Sequence, residues 1–154
     1  MDWKECCNKR TAKQVSPDND MILALMKSSE NKLESESKLE MTNVTASSKL
    51  SLAYDSLREL LEALALKKGY KVYNHECYTA FIKEIIGESD KGEDFNELRK
   101  ERNSVNYYGK EISAEDASKT IERIRKLRNA MAALVSQEII ANLGDFGTFA
   151  RFAK

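Results

Sequence analysis

Residues 46–64 set the terms on which the rest of the chain must fold. Ala46, Leu50, Ala53, Leu57, Leu60, Leu61 and Leu64 recur at spacings of three and four, which puts them on one face of a helix. A face so continuous and so apolar has to be covered. In a chain with one proline and six glycines, rich in Leu, Ala, Glu, Lys and Ser, the available cover is other helices. The spacing predicts this helix over 44–68, with Gly69 as its stop.

The same period continues on both sides. Ser16, Pro17 and Asp18 read as a helix start: a capping serine, a proline in the first turn and an acid near the positive end of the dipole. Ile22, Leu25, Met26 and Leu33 carry that helix over 17–41, until Thr42 and Asn43 break it. Residues 70–74 form a short extended connector. Asn74 then caps a helix over 75–87 whose inner face is Tyr78, Phe81, Ile82 and Ile85. The polar stretch 88–94, which holds Gly92, reads as a mobile loop. A helix over 93–108 ends at Gly109. Ser113, Glu115 and Asp116 open the last helix, over 114–143, which runs through Ala117, Ile121, Ile124, Leu127, Met131, Leu134 and Ile139 to a stop at Gly144. No alternating strand pattern is visible. The expectation is an all-α fold, an up-and-down bundle of four to five helices forming a single domain over 1–154. Residues 1–16 are an N-terminal extension in which a short helix packs Trp3 on the body. Residues 145–154 are a tail whose Phe146, Phe149 and Phe152 suit either a docked final turn or an interaction surface.

Charge and cysteine usage narrow the function classes. Lys+Arg and Asp+Glu balance at 25 each, so no whole-protein field draws in nucleic acid or an anionic membrane. Locally, Arg99, Lys100, Arg102 and Lys110 outnumber Glu101. No apolar run reaches membrane-spanning length, and the first residues lack the basic and apolar regions of a signal peptide. Cys6, Cys7 and Cys77 show no CxxC spacing, and their count is odd. The reading is reduced thiols in a cytoplasmic protein. A single histidine, His75, argues against a zinc site. The glycines match neither a phosphate loop nor a dinucleotide fingerprint, and no cofactor is expected. His75 reads as a cap-proximal or surface residue. Cys77, two residues on, points elsewhere on a helix.

Polar chemistry concentrates instead on 98–109. Phe95, Leu98, Arg102 and Val105 fall on one stripe, so an arginine stands where an inward apolar residue is expected. Arg99, Asn103 and Asn106 share the neighbouring face, and Tyr107 and Tyr108 put two phenols at the helix end. A guanidinium in such a place needs acceptors or a groove edge. The structural reading pairs Arg102 with an acid on a neighbouring helix. The functional reading has it grip a phosphate or phosphodiester, for which Arg supplies a planar fork of donors and Tyr a stacking face.

The run from Arg102 and Asn103 through Asn106, Tyr107 and Tyr108 to Gly109 resembles the signature region of the HEPN superfamily. These are small helical-bundle domains marked by an arginine, usually followed by Asn, with a histidine four to six residues further on. Upstream, the stretch 52–75, with Tyr54, Leu57, Arg58, Gly69, Asn74 and His75, is similar to that family's second helix and following turn. The last helix corresponds to its long C-terminal helix, so the resemblance covers roughly 17–143. It implies a homodimer in which the motifs of two protomers meet at a cleft. In active members that cleft cuts RNA without metal, and many are toxins paired with a small nucleotidyltransferase-like antitoxin. Others are RNA- or nucleotide-binding modules. This sequence departs at one place: the histidine position holds Tyr107, or Asn106 when counted from Arg99. Asn transfers no proton, and an ordinary tyrosine titrates near about 10. The expected function is therefore RNA or nucleotide binding with weak or lost ribonuclease activity. Arg102, Asn106 and Tyr107 stand at the reactive positions, and Arg99, Asn103 and Tyr108 are the flanking contacts. The alternatives are an active endoribonuclease toxin and a non-enzymatic helical interaction module.

Overall fold

The computed structural model describes the backbone of residues 1–107 and 109–145 and the side chains of residues 1–106 and 109–137. The helix that the sequence places at the centre is there. α3 (Ala46–Lys67) carries Leu50, Ala53, Tyr54, Leu57, Leu61 and Leu64 with no exposed surface. Each large apolar side chain so buried contributes about 1.5–3 kcal/mol relative to exposure.

Three helices enclose it. α2 (Asn19–Lys38) runs antiparallel to α3: Ser29 meets Ser56, and Glu36 meets Lys49. α5 (Ser89–Tyr107) is also antiparallel to α3, with Arg102 opposite Asp55 and Asn106 opposite Ser51. α6 (Ala114–Asp145) runs against both outer helices, its Arg128 paired with Glu30 of α2 and its Thr120 and Arg123 with Glu101 and Glu97 of α5. Direction therefore alternates through α2, α3, α5 and α6. The fold is all-α, an up-and-down helical bundle as the periodicity predicts. No described helix is long and apolar enough to cross a membrane.

Several boundaries differ from expectation, each for a local reason. Asp18, not Ser16, caps α2, its carboxylate accepting from the Met21 amide at 3.1 Å. α2 stops at Lys38, short of Met41, where the buried Lys49 ammonium takes the Glu36 and Leu39 carbonyls, each at 2.5 Å. The helix expected over 75–87 is two pieces. α4 (Glu76–Ala80) widens into a π-helical segment, Phe81–Ile86. Gly87 ends that segment at φ +85°, and the amides of Gly87 and Glu88 both turn back on the Ile82 carbonyl. The stretch 88–94 is not a loop: Ser89 onward is the first turn of α5. α6 passes through Gly144 to Asp145. The phenylalanines of the tail lie outside the described residues.

The N-terminal extension forms α1 (Trp3–Asn8), capped reciprocally by Asp2 and Glu5, with Trp3 packed on Tyr70 and Phe81 as expected. It then makes a strand that the sequence did not announce. β1 (Ala12–Gln14) pairs antiparallel with β2 (Tyr70–Val72), in the register Ala12 with Val72 and Gln14 with Tyr70. Three residues are too few to display an alternation. The reading of three reduced thiols is also corrected: Cys6 and Cys77 are joined by a disulfide, and Cys7 alone is free and exposed.

Gly92 explains why a helix can begin where a loop was expected. A methyl built there would lie 2.5 Å from Lys83 Cγ and 3.2 Å from the Thr79 carbonyl oxygen, so only a bare Cα lets α5 approach the α4 segment this closely. Gly92→Ala should therefore destabilise the fold by about 1 kcal/mol despite alanine's better helix propensity, because overpacking outweighs it. Urea unfolding measures this directly, and a variant more stable than wild type would show that the contact yields freely.

Candidate functional site

The site is built on Tyr54. The period of α3 turns this residue wholly into the core, where Phe95 of α5 stacks on its ring at 6.1 Å. Two turns further along α5, Arg102 lays its guanidinium over the same ring, with Cζ 5.0 Å from the centroid, a cation–π arrangement. Asp55 lies 3.8 Å from the Arg102 guanidinium. His75, at the entrance to α4, also approaches Tyr54, its ring centroid 6.0 Å from that of Tyr54 and Nδ1 3.4 Å from the phenol oxygen. Tyr78 closes the cluster, 6.4 Å from His75 and edge-on to Phe95.

Two further arginines border this group. Arg58, one turn after Tyr54 on α3, pairs with Glu62 at 3.1 Å. Arg99, three residues before Arg102, donates to Asn96 at 2.9 Å, while its buried Nε has no hydrogen-bond partner. Burial holds His75 below its usual pKa of 6.5, and the fields of Arg58, Arg102 and Arg99 press it the same way against the opposing pull of Asp55. Burial also raises the Tyr54 phenol to about 12, a rise that the same three arginines moderate. Burial pushes Tyr78 up as well. At neutral pH the site thus presents a neutral imidazole, protonated phenols and three guanidinium groups, of which Arg102 is paired with Asp55 and Arg58 with Glu62. It can hold an anion, and His75 is its one side chain able to exchange a proton near neutrality.

The expected site residues divide. Arg99 and Arg102 join the cluster, and Asn103 accepts from Arg102 at 3.5 Å. Asn106 lies a turn further along α5, exposed, accepting from the Ser51 hydroxyl at 3.2 Å. Tyr107 is the last residue of α5; its side chain, and Tyr108 entirely, lie outside the described residues. The ion pair of Arg102 with Asp55 meets the structural reading of that arginine. His75 is cap-proximal, as the sequence reads: it occupies the capping position of α4, though it makes no side-chain cap bond. Asn74 does that work, accepting from the Glu76 amide at 2.9 Å, and the imidazole goes to Tyr54 instead. Tyr54 and Arg58 were legible only as an i, i+4 pair within the stretch that carries the family resemblance.

Comparison with family models, with curated proteins and with solved structures finds no match.

His75 gives this site a titration that can be followed by itself, since the chain has one histidine. Its native pKa lies below the 6.5 of the unfolded chain, so below that pH the unfolded state binds protons first. The stability tied to the neutral imidazole is present above about 6.5 and is lost as pH falls through the window beneath it. An NMR titration should give a midpoint under 6.5. The pH dependence of unfolding in the window below about 6.5 should flatten in His75→Gln.

Proposed function

We propose that this protein is a HEPN-like module that binds RNA or a nucleotide through phosphate, with weak or lost ribonuclease activity. The observation that carries the reading is the Arg102 guanidinium over the buried Tyr54 ring, beside the half-buried His75 and within the field of Arg58 and Arg99. Guanidinium groups present forks of donors suited to phosphate oxygens, and the buried Arg99 Nε leaves one such donor unspent. The reading also rests on the family resemblance of residues 17–143. The fuller proposal includes a homodimer, a nucleotidyltransferase-like partner and a cytoplasmic location.

Arg102→Ala and Arg99→Ala should each weaken binding of a short single-stranded RNA by about 2 kcal/mol, roughly thirtyfold, the scale of a hydrogen bond to a charged group. Binding of the wild type should also fall steeply with added salt. Fluorescence anisotropy supplies the affinities, and circular dichroism checks that Arg102→Ala keeps its fold once the cation over Tyr54 is gone. Unchanged affinity in both folded variants rules the binding site out and leaves the interaction-module reading.

The second reading, cleavage, is favoured by one observation. His75 is neutral and within reach of the Tyr54 hydroxyl and the arginine field, so the acid/base group missing from positions 106 and 107 is supplied from a different turn. Loss of such a group typically costs about 10²–10⁴ in rate. RNA cleavage by the wild type that His75→Gln abolishes, while RNA binding persists, would establish it.

A further inference from the structure

We propose that Cys6–Cys77 is a redox-operated clasp: formed, it locks the N-terminal segment 1–15 onto the α4 turn and holds His75 in place; reduced, it releases both. The site consequence rests on the placement of His75 described above, whereas the clasp itself does not.

The secondary structure of the segment is slight. α1 has six residues, too few for a helix to persist unaided. β1 contributes three residues to a two-stranded ladder, which is marginal by itself. Arg10, in the turn between them, stands at φ 58°, a left-handed conformation that a side-chain-bearing residue resists. Against this stand the packing of Trp3 on Tyr70 and Phe81, the hydrogen bond that its amide donates to the Glu84 carboxylate at 2.7 Å, the buried Ala12, and two backbone hydrogen bonds flanking the ladder, Tyr73 to the Thr11 carbonyl at 2.8 Å and Val15 to the Gly69 carbonyl at 2.9 Å. The disulfide closes a sequence separation of 71 residues, so its loss returns much of the segment's freedom.

The position of the bond makes that freedom consequential. Cys77 is the second residue of α4, directly before Tyr78 and two after His75. Its partner Cys6 is wholly buried in α1. A pull on Cys77 therefore acts on the one-turn element that presents the imidazole to Tyr54. Both sulfurs are buried, yet the cover on one side is Met1, itself 43% exposed, whose Sδ lies 3.5 Å from Cys6 Sγ and 3.9 Å from Cys77 Sγ. The Thr11 hydroxyl lies 3.3 Å from Cys77 Sγ, so a small thiol or disulfide reaches the bond once Met1 and Thr11 move aside.

The chemistry balances by exchange with glutathione. One thiolate of the pair attacks oxidised glutathione, giving a mixed disulfide and one glutathione thiol. The second thiolate then displaces the remaining glutathione, so the protein loses two electrons and two protons and two glutathione thiols are formed. Reduction is the reverse.

Trp3 and His75 are the chain's only tryptophan and histidine, so each end of the device reports separately. The experiment follows Trp3 emission and the His75 imidazole NMR resonances of the full chain in Cys7→Ser, through a series of glutathione redox buffers, with Cys77→Ser as the permanently open form. The expected result is a reversible loss of two mass units on oxidation, a shift of Trp3 emission to longer wavelength on reduction, and a concurrent shift of the His75 resonances. Amide exchange over 3–14 should speed by about thirtyfold or more, the change that about 2 kcal/mol of loop restraint corresponds to. Failure of the bond to form at any ratio, or unchanged Trp3 emission and exchange on reduction, overturns the clasp. Movement of Trp3 with His75 unmoved overturns its coupling to the site. Neither result depends on RNA binding, so failure here is distinguishable from failure of the functional reading.

Discussion

The near-complete burial of α3 is the constraint on which the remaining structure depends. A helix with one apolar face can rest on a single neighbour. α3 also buries Lys49, Ser56 and Glu59, so it must be surrounded, and each of these polar groups must find a partner inside. Ser56 exchanges hydrogen bonds with Ser29 between α2 and α3. Lys49 ends α2 by taking its last carbonyls and pairs with Glu36 at 3.1 Å. Glu59 is met by Lys32 at 2.5 Å. Buried charges left single would cost several kcal/mol each. These pairs therefore act mainly as register marks, fixing which turn of α2 faces which turn of α3.

The candidate site is a by-product of the same enclosure. Tyr54 is a core residue by period and burial, but its phenol reaches the edge where α3, α5 and the α4 turn meet. A core aromatic at such an edge offers a ring face to a cation and a hydroxyl to an imidazole, and Arg102 and His75 take these up. The polar chemistry is thus anchored to the rigid axis of the bundle rather than to a loop. That is the arrangement a preorganised anion site needs. It also ties site integrity to core packing, since anything that tilts Tyr54 moves both of its polar neighbours.

The helices were legible because their signals are local. Leu50, Leu57 and Leu64 repeat along one face regardless of what covers them, and Gly87 and Gly109 end helices through their own backbone freedom, at φ +85° and +67°. Gly92 misled for the same reason. A glycine in a polar stretch reads as a loop, whereas here it is required by the closeness of Thr79 and Lys83 on another segment. The β1–β2 pair and the cysteine bond share this character. Residues 12 and 72, and 6 and 77, are brought together by the path of the whole chain, and no short window records it.

By itself the sequence determined the all-α class, the direction changes and the singular position of Arg102, because helical period and a guanidinium on an apolar stripe are properties of consecutive residues. Only the tertiary structure decided that Arg102 would lie over Tyr54, that Arg58 and Arg99 would join it, and that the His75 imidazole, from the capping position of α4, would approach the same phenol. The reason is geometric. A periodicity says which side of a helix is buried, but the partner of a buried polar group is chosen by the rotation and offset of two helices far apart in sequence. Those are set by the packing of every side chain between them.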